Sequence, residues 1–387
     1  MHKMPDSDVL RELFLRLKDL DYLETSRIPS LKRPAWMFLI EPHVLFKYMR
    51  GNTDPFTPTA VPGLYGRLWF GSHGDTREAY SLFFLNRPGD LRSIEDLLGA
   101  ELLRKCFQQN ILAELEGSVE SSYRLVPWRD SIFLSDPDQG DKRTTIRYVY
   151  VGSDSVLLAE FVRNHLLNCF YEKGLDLCAG TAIQGHNIRS SCREVMAAEY
   201  NPRAVEFARA SVYANGIETP FQVIQSDLWE KVEGSFDLIV SNPPYYPVDE
   251  SRRNAKILDV FGGSHHGMEK PLIIFDGLGQ YLRRDGRGVL LAASPVIEGE
   301  DLLKEELRPY AEKHGLDTVL VPWKYTNIKL EPDYQVKHGI DYLIHYIVYA
   351  HRTGSGRIHT AKYPPLVKML EKLQIALQKK LPSWPEP

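Results

Sequence analysis

Four consecutive residues, Asn242-Pro243-Pro244-Tyr245, follow the apolar run FDLIVS and form a group with a definite chemical capacity. The Asn242 side-chain carbonyl and the Pro243 backbone carbonyl are two acceptors, suited to the two N–H groups of one amine or amide. The prolines fix the turn and offer no competing N–H. The Tyr245 ring can stack on a flat amide or heteroaromatic amine. Two acceptors on one planar nitrogen orient it and turn its lone pair toward an electrophile, so that positioning and desolvation do most of the catalysis. Two prolines after a strand can simply stop it, but an asparagine before them and an aromatic after them make a specific combination.

Three further apolar runs end in residues suited to a nucleoside. The first ends Asp176-Leu177-Cys178-Ala179-Gly180-Thr181, with Gln184 at the helix start beyond it. A glycine there lets backbone approach a ligand closely, and the helix start offers free N–H groups to a carboxylate. The second ends at Glu199, 23 residues after Asp176, with Tyr200 beside it. An acid in that place can accept two hydrogen bonds from a ribose diol. The third ends Ser226-Asp227-Leu228, where a carboxylate beside an apolar wall can accept from an adenine amine. A nicotinamide dehydrogenase uses a similar glycine turn and distal acid, but its G-x-G-x-x-G is absent, since positions 178 and 182 hold Cys and Ala.

The elements that must carry these residues follow from periodicity. Short apolar runs at 174–178, 194–200, 221–227, 236–242, 288–294, 318–323 and 342–350 alternate with helical stretches at 202–215, 268–283 and 300–314. A further helix is expected at 155–170. This alternation predicts an α/β fold with a largely parallel sheet covered on both faces, its last two runs paired antiparallel at an edge. In such a sheet, ligands sit outside the carboxyl ends of the strands, where the strand order reverses.

Residues 1–150 have a different texture and read as a smaller α+β domain. Leu10, Leu13, Phe14, Leu17 and Leu20 recur at helical spacing. Ser93-Ile-Glu-Asp reads as a capping box opening one helix with Leu97, Leu98, Leu102, Leu103 and Phe107 on its buried face. YRLVPWRDSIFLSD then reads as a β-ribbon, and helices followed by a ribbon are compatible with a winged-helix-like module. The domains expected are therefore 1–150, 151–355 and a C-terminal helical tail, 356–387, whose lysine-rich helix at about 365–380 reads as a solvated packing helix.

Across 387 residues, 43% are hydrophobic and 25% charged, as in soluble globular proteins. A formal net charge of −4 provides no overall positive field for a nucleic-acid backbone, which favours a protein, peptide or small-molecule partner over RNA or DNA. The four cysteines form no C-x-x-C pair, so neither a disulfide framework nor a zinc site is expected. The adjacent His265 and His266 point in different directions in a glycine-rich loop, and no metal is expected there. Cys178 reads as a space-filler rather than a nucleophile. Arg252, Arg253 and Lys256 read as a solvated loop. No apolar run reaches membrane-spanning length, and a cytoplasmic location is expected.

On these motifs, the stretch from about 150 to 350 resembles the small-domain class I methyltransferases, including the release-factor glutamine N5-methyltransferases and the ribosomal-RNA guanine N2-methyltransferases. The resemblance implies a Rossmann-like, seven-stranded, mostly parallel sheet and S-adenosylmethionine as cofactor. It implies that Asp176, Gly180, Glu199 and Asp227, with their neighbours Cys178, Ala179, Thr181, Gln184, Tyr200 and Leu228, hold that cofactor. Asn242 to Tyr245 would hold the substrate nitrogen, with Asn242 also touching the cofactor, and the loop Gly152–Ser155 would close over it. The family's Asp-x-Gly-x-Gly-x-Gly keeps only its middle glycine here, Gly180, with small residues at 178 and 182. The function implied is N-methylation of an amide or exocyclic amine on a protein, peptide or small molecule. The alternatives are an RNA or DNA base methyltransferase and a non-catalytic cofactor-binding regulator.

Overall fold

The computed structural model describes residues 4–27, 74–137, 149–247, 262–326 and 332–362. Helix α1 (Ser7–Asp19) starts where the Asp6 carboxylate accepts from the Asp8 N–H, and it buries Leu10, Leu13, Phe14 and Leu17. Leu20, expected on that face, is its half-buried C-cap. After α2 (Gly74–Phe83) and the short strand β1 (Gly89–Asp90), the single helix expected from Ser93 to Phe107 is two. These are α3 (Leu91–Leu98) and α4 (Ala100–Gln108), broken at Gly99, whose φ of +82° suits glycine alone. The N-cap is Asp90, which accepts from the Ser93 N–H, so Ser93 lies inside the first turn. Strands β2 (Leu112–Leu115) and β3 (Ser118–Ser121) join β1 in a small sheet of order β1-β3-β2. The expected ribbon forms as a hairpin of β4 (Arg124–Trp128) and β5 (Ser131–Ser135), turning at Arg129 with φ +55°.

The remaining elements alternate. In chain order they are α5 (Ser153–His165), β6 (Tyr171–Leu177), α6 (Ile183–Ile188), β7 (Cys192–Glu199), α7 (Pro202–Ala214), β8 (Phe221–Gln225) and β9 (Phe236–Ser241). Then come α8 (Glu269–Tyr281), β10 (Leu282–Ile297), β11 (Glu300–Asp301), α9 (Leu302–His314), β12 (Leu316–Thr326), α10 (Pro332–Lys337), β13 (Ile340–Arg352) and β14 (Ile358–Thr360). The sheet order is β14-β12-β13-β10-β9-β6-β7-β8, with β11 paired to β10. Strands β6 to β10 run parallel, while β13 is antiparallel to both neighbours.

Seven long strands thus match the expected α/β, Rossmann-like sheet, and β11 and β14 raise the number among the described residues to nine. β14 pairs with β12, so the sheet runs past the boundary expected at 355, and the edge assigned to β12 is covered. The central strands read as continuous apolar runs because both their faces are covered. Leu175, Leu177, Leu238, Ile239 and Val240 are fully buried. Each such side chain contributes about 1.5–3 kcal/mol by leaving water.

The N-terminal elements share one apolar core with α7, through Ala204, Phe207, Ala210 and Ala214. Hydrogen bonds reinforce the joint. The Asn215 side chain bonds both the N–H and the C=O of Ile132, and Ser211 Oγ accepts from the Leu134 N–H. Among the described residues, no helix is long and apolar enough to cross a membrane. The helix expected at 365–380 and residues Arg252, Arg253 and Lys256 lie outside the described residues.

Candidate functional site

The chain leaves β6 outward to β7 and β8, then returns to place β9 on the other side of β6. The order reverses between β6 and β9, and a cavity of about 870 Å³ opens at their carboxyl ends. That volume lies within the range of small-molecule and cofactor sites.

One wall is the loop after β6. Cys178, Gly180 and Ala182 all have left-handed backbones, with φ of +58°, +54° and +63°. All three positions therefore take a left-handed backbone, although two of them carry a Cβ. A Cβ on Gly180 would meet nothing within 4 Å, since that position faces the open cavity. Thr181 is 2% exposed, lies on the wall, and its Oγ1 has no hydrogen-bond partner. Gln184, also on the wall, donates through Nε2 to the Ser155 carbonyl at 2.7 Å. Cys178 is on the wall too, and burial pushes its thiol far above the ordinary value, as suits a space-filling role.

Glu199, at the end of β7, accepts from the Gly180 N–H at 2.8 Å and the Asn201 N–H at 2.7 Å. Asn201 in turn caps α7 by accepting from the Arg203 N–H. Beyond β8, Ser226 Oγ donates to the Leu228 carbonyl and accepts from the Lys231 N–H, which sets the turn presenting Asp227 and Leu228. Beside them Trp229 stacks on Tyr281, with ring centroids 4.5 Å apart and planes within 7°. Trp229 Nε1 donates to the Ile273 carbonyl, so the stack is fixed from α8.

On the opposite side, Asn242 and Pro244 reach the cavity wall. Asn242 Nδ2 donates to Ser155 Oγ at 2.9 Å and approaches Asp154 Oδ2 at 3.4 Å. Tyr245 Oη donates to the same Asp154 oxygen at 3.2 Å, and its ring packs edge-on against His345. Burial, then the Asp154 charge, pushes the Tyr245 phenol well above its ordinary pKa, so it stays protonated. The loop leading into α8 braces this turn. Gly262 donates to the Tyr246 carbonyl, and a Cβ on Gly267 would lie 2.7 Å from the Tyr245 backbone carbonyl oxygen.

Of the residues singled out in the sequence, Cys178, Ala179, Gly180, Thr181, Gln184, Glu199, Tyr200, Asp227, Leu228, Asn242 and Pro244 meet at this one cavity. Asp176, Pro243 and Tyr245 are not on its wall. Asp176 is fully buried behind the loop, where its Oδ2 accepts from the Gly185 N–H at 2.7 Å and ties β6 to α6. Burial raises its pKa well above the usual carboxylate range, against the lowering effect of the Gly185 N–H. Tyr245 is committed to Asp154 and His345 rather than offered as an open stacking face. His266 Nδ1 meets Tyr334 Oη at 3.0 Å, and His265 is exposed.

The sequence reading did not single out Tyr150, Trp229, Glu269, Lys270 or Tyr281, all on the wall, and reached Asp154 and Ser155 only as parts of a loop. Trp229 had a signal, an aromatic two residues past Asp227. Tyr281 had none, because it meets Trp229 across 52 residues of chain.

Comparison with known proteins agrees with this arrangement. The family model "Methyltransferase small domain" matches residues 151–259. A provisionally named protein N5-glutamine methyltransferase of Methanocaldococcus jannaschii is 30% identical over 162 residues, covering 41% of this chain and 78% of that protein. The release factor glutamine methyltransferase of Borreliella burgdorferi is 23% identical over 274 residues, 66% of this chain and 84% of its own. Ribosomal RNA small subunit methyltransferase C of Serratia proteamaculans is 28% identical over 129 residues, covering 33% and 35%.

Proposed function

Because the chain belongs to the small-domain family of S-adenosylmethionine-dependent methyltransferases, we propose that it methylates the side-chain amide nitrogen of a glutamine in a protein, with the cytoplasm as its compartment. The observation that carries this reading is that Asn242 and Pro244 open onto the same cavity as Gly180 and Glu199. A nucleoside-bound methyl donor and a flat acceptor nitrogen then share one chamber.

The wall fits S-adenosylmethionine. The buried, unpartnered Thr181 Oγ1 and the open space over Gly180 suit its amino-acid tail. Glu199 would accept from the ribose hydroxyls, and Asp227 from the adenine amine, with Leu228 and the Trp229–Tyr281 stack as the apolar wall. When bound, the cofactor supplies a methyl group on a sulfonium, an electrophile strong enough that no strong base is needed.

The chain's own residues have the harder task, because an amide nitrogen delocalises its lone pair into the carbonyl. Asn242, on the chamber wall, would accept an N–H of the amide through Oδ1, hold the nitrogen in line and raise its electron density. The prolines that follow add no competing N–H donor beside that acceptor, and a substrate filling the chamber would exclude water. Two relatives named as glutamine methyltransferases support an amide acceptor, and the net charge of −4 favours protein over nucleic acid.

The test is to incubate the protein with S-adenosylmethionine tritiated in the methyl group and with separate protein and RNA fractions of a ribosome-containing extract. Label in the protein fraction, freed by acid hydrolysis as methylamine that becomes volatile once the hydrolysate is made alkaline, is the expected result. Label confined to RNA would replace the amide by a base amine.

A further inference from the structure

Asp154 stands at the start of α5, far in sequence from the Asn242 turn but in contact with it. Its Oδ1 accepts from the Ser155 N–H at 2.8 Å, while Oδ2 faces both Tyr245 Oη, at 3.2 Å, and Asn242 Nδ2, at 3.4 Å. Ser155 Oγ adds a second acceptor to the same Nδ2 at 2.9 Å, and the Ser155 carbonyl is anchored by Gln184. Gly152 makes room for this, because a Cβ there would collide with Asp154 Oδ1.

A primary amide has two ends of nearly equal shape, and only its neighbours decide which end faces which way. A carboxylate accepts and never donates when ionised. Turning the Asn242 amide over would set its oxygen against the Asp154 oxygen and leave Nδ2 at the chamber. In the orientation seen, Asn242 Oδ1 meets no donor among the described residues. We propose that Asp154 is a positioning residue for methyl transfer, holding the Asn242 amide so that its oxygen faces the acceptor nitrogen. The inference rests on the reading of the cavity as a methyl-transfer chamber. It adds that the polarity of the acceptor site is set from α5, outside the Asn242–Tyr245 motif itself.

The test needs no knowledge of the methyl acceptor. Sinefungin carries an amine-bearing carbon in place of the methylated sulfur, so its ammonium lies where the methyl group would be. An oxygen of Asn242 facing that point favours sinefungin over S-adenosylhomocysteine, and an NH₂ facing it does the reverse. Calorimetric titration of the wild type and of Asp154→Ala with both compounds reads the ratio. We expect S-adenosylhomocysteine affinity to hold within about threefold and the preference for sinefungin to fall about tenfold or more, the size of one lost charge-assisted hydrogen bond. If Asp154→Ala fails to fold, Asp154→Asn, with one oxygen left for donors on two sides, gives a smaller loss of the same sign.

Equal loss of both affinities would make Asp154 a direct cofactor ligand and overturn the proposal. An unchanged ratio, or a wild type without preference, would overturn it too. A wild type that binds neither compound would instead overturn the chamber reading itself.

Discussion

The loops after β6 and after β9 face each other across one cavity, yet they are built on opposite principles. The β6 loop is defined by its backbone rather than by its side chains. Cys178 and Ala182 hold the same left-handed conformation as Gly180, with φ between +54° and +63°, although a Cβ makes that conformation costly. The β9 loop keeps its side chains and borrows its rigidity, from Asp154 and Ser155 on one side and from the Gly262–Gly267 loop on the other. A grip made by peptide N–H groups tolerates exchange of residues as long as the chain path survives. A grip made by one amide oxygen does not.

That contrast can be broken most directly at Asn242. Asn242→Ala should lower turnover on the order of 10²–10³-fold, the usual cost of removing one preorganised polar group from a reacting centre. Titration should find S-adenosylhomocysteine affinity within a few fold of wild type. Comparable loss of both would mean that the two loops are not separable.

Acid should act on the β6 side first. His186, on α6, is buried between Phe133 and Phe221, and burial lowers its pKa from 6.5 to about 3. The unfolded chain takes up this proton near pH 6.5 and the folded chain resists it down to about 3. The contribution is therefore complete above pH 6.5 and is lost progressively as pH falls. At pH 5 the loss amounts to about 2 kcal/mol. Denaturant midpoints for wild type and His186→Phe should converge or cross between pH 7 and pH 5, and parallel pH profiles would remove His186 as the cause.

Gly180→Ala comes next. It adds a methyl group to the cavity at a positive φ and should weaken S-adenosylhomocysteine binding about tenfold, with little change in thermal stability beyond the roughly 1–2 kcal/mol of backbone strain. The smallest effect is expected at Ala182→Gly. Relief of strain there is offset by lost methyl burial and by the greater freedom of glycine when unfolded, leaving a net change of about 1 kcal/mol or less. A large gain or loss in the melting temperature would show that residue 182 acts through its side chain and not through its backbone.

The sheet was legible in the sequence because its central strands are buried on both faces and read as unbroken apolar runs. The acids ending β7 and β8 were legible because strand ends fix where side chains emerge. Local cues misled where a neighbouring one was stronger. Ser93 looked like a cap, but Asp90 reaches the Ser93 N–H first, and Gly99 divides the helix that apolar spacing alone joins. Asp176 had the spacing of a ligand-facing acid, yet its carboxylate turns back to the Gly185 N–H. No local pattern announces the Asp154–Tyr245 contact, which spans 91 residues and exists only once α5 crosses the end of β9.

The bonds between Asn215 and Ile132 have a consequence for how the molecule behaves in company. A two-stranded ribbon such as β4–β5 offers unpaired peptide groups along its outer side, a template on which another chain can assemble. Here one side-chain amide takes up both the N–H and the C=O of Ile132, as a neighbouring strand would, and Ser211 takes the N–H of Leu134 two residues on. Helix α7 thus serves as a surrogate third strand. A ribbon transplanted without it would bring an open edge and a tendency to aggregate, so the graftable unit is the ribbon together with the helix that closes it.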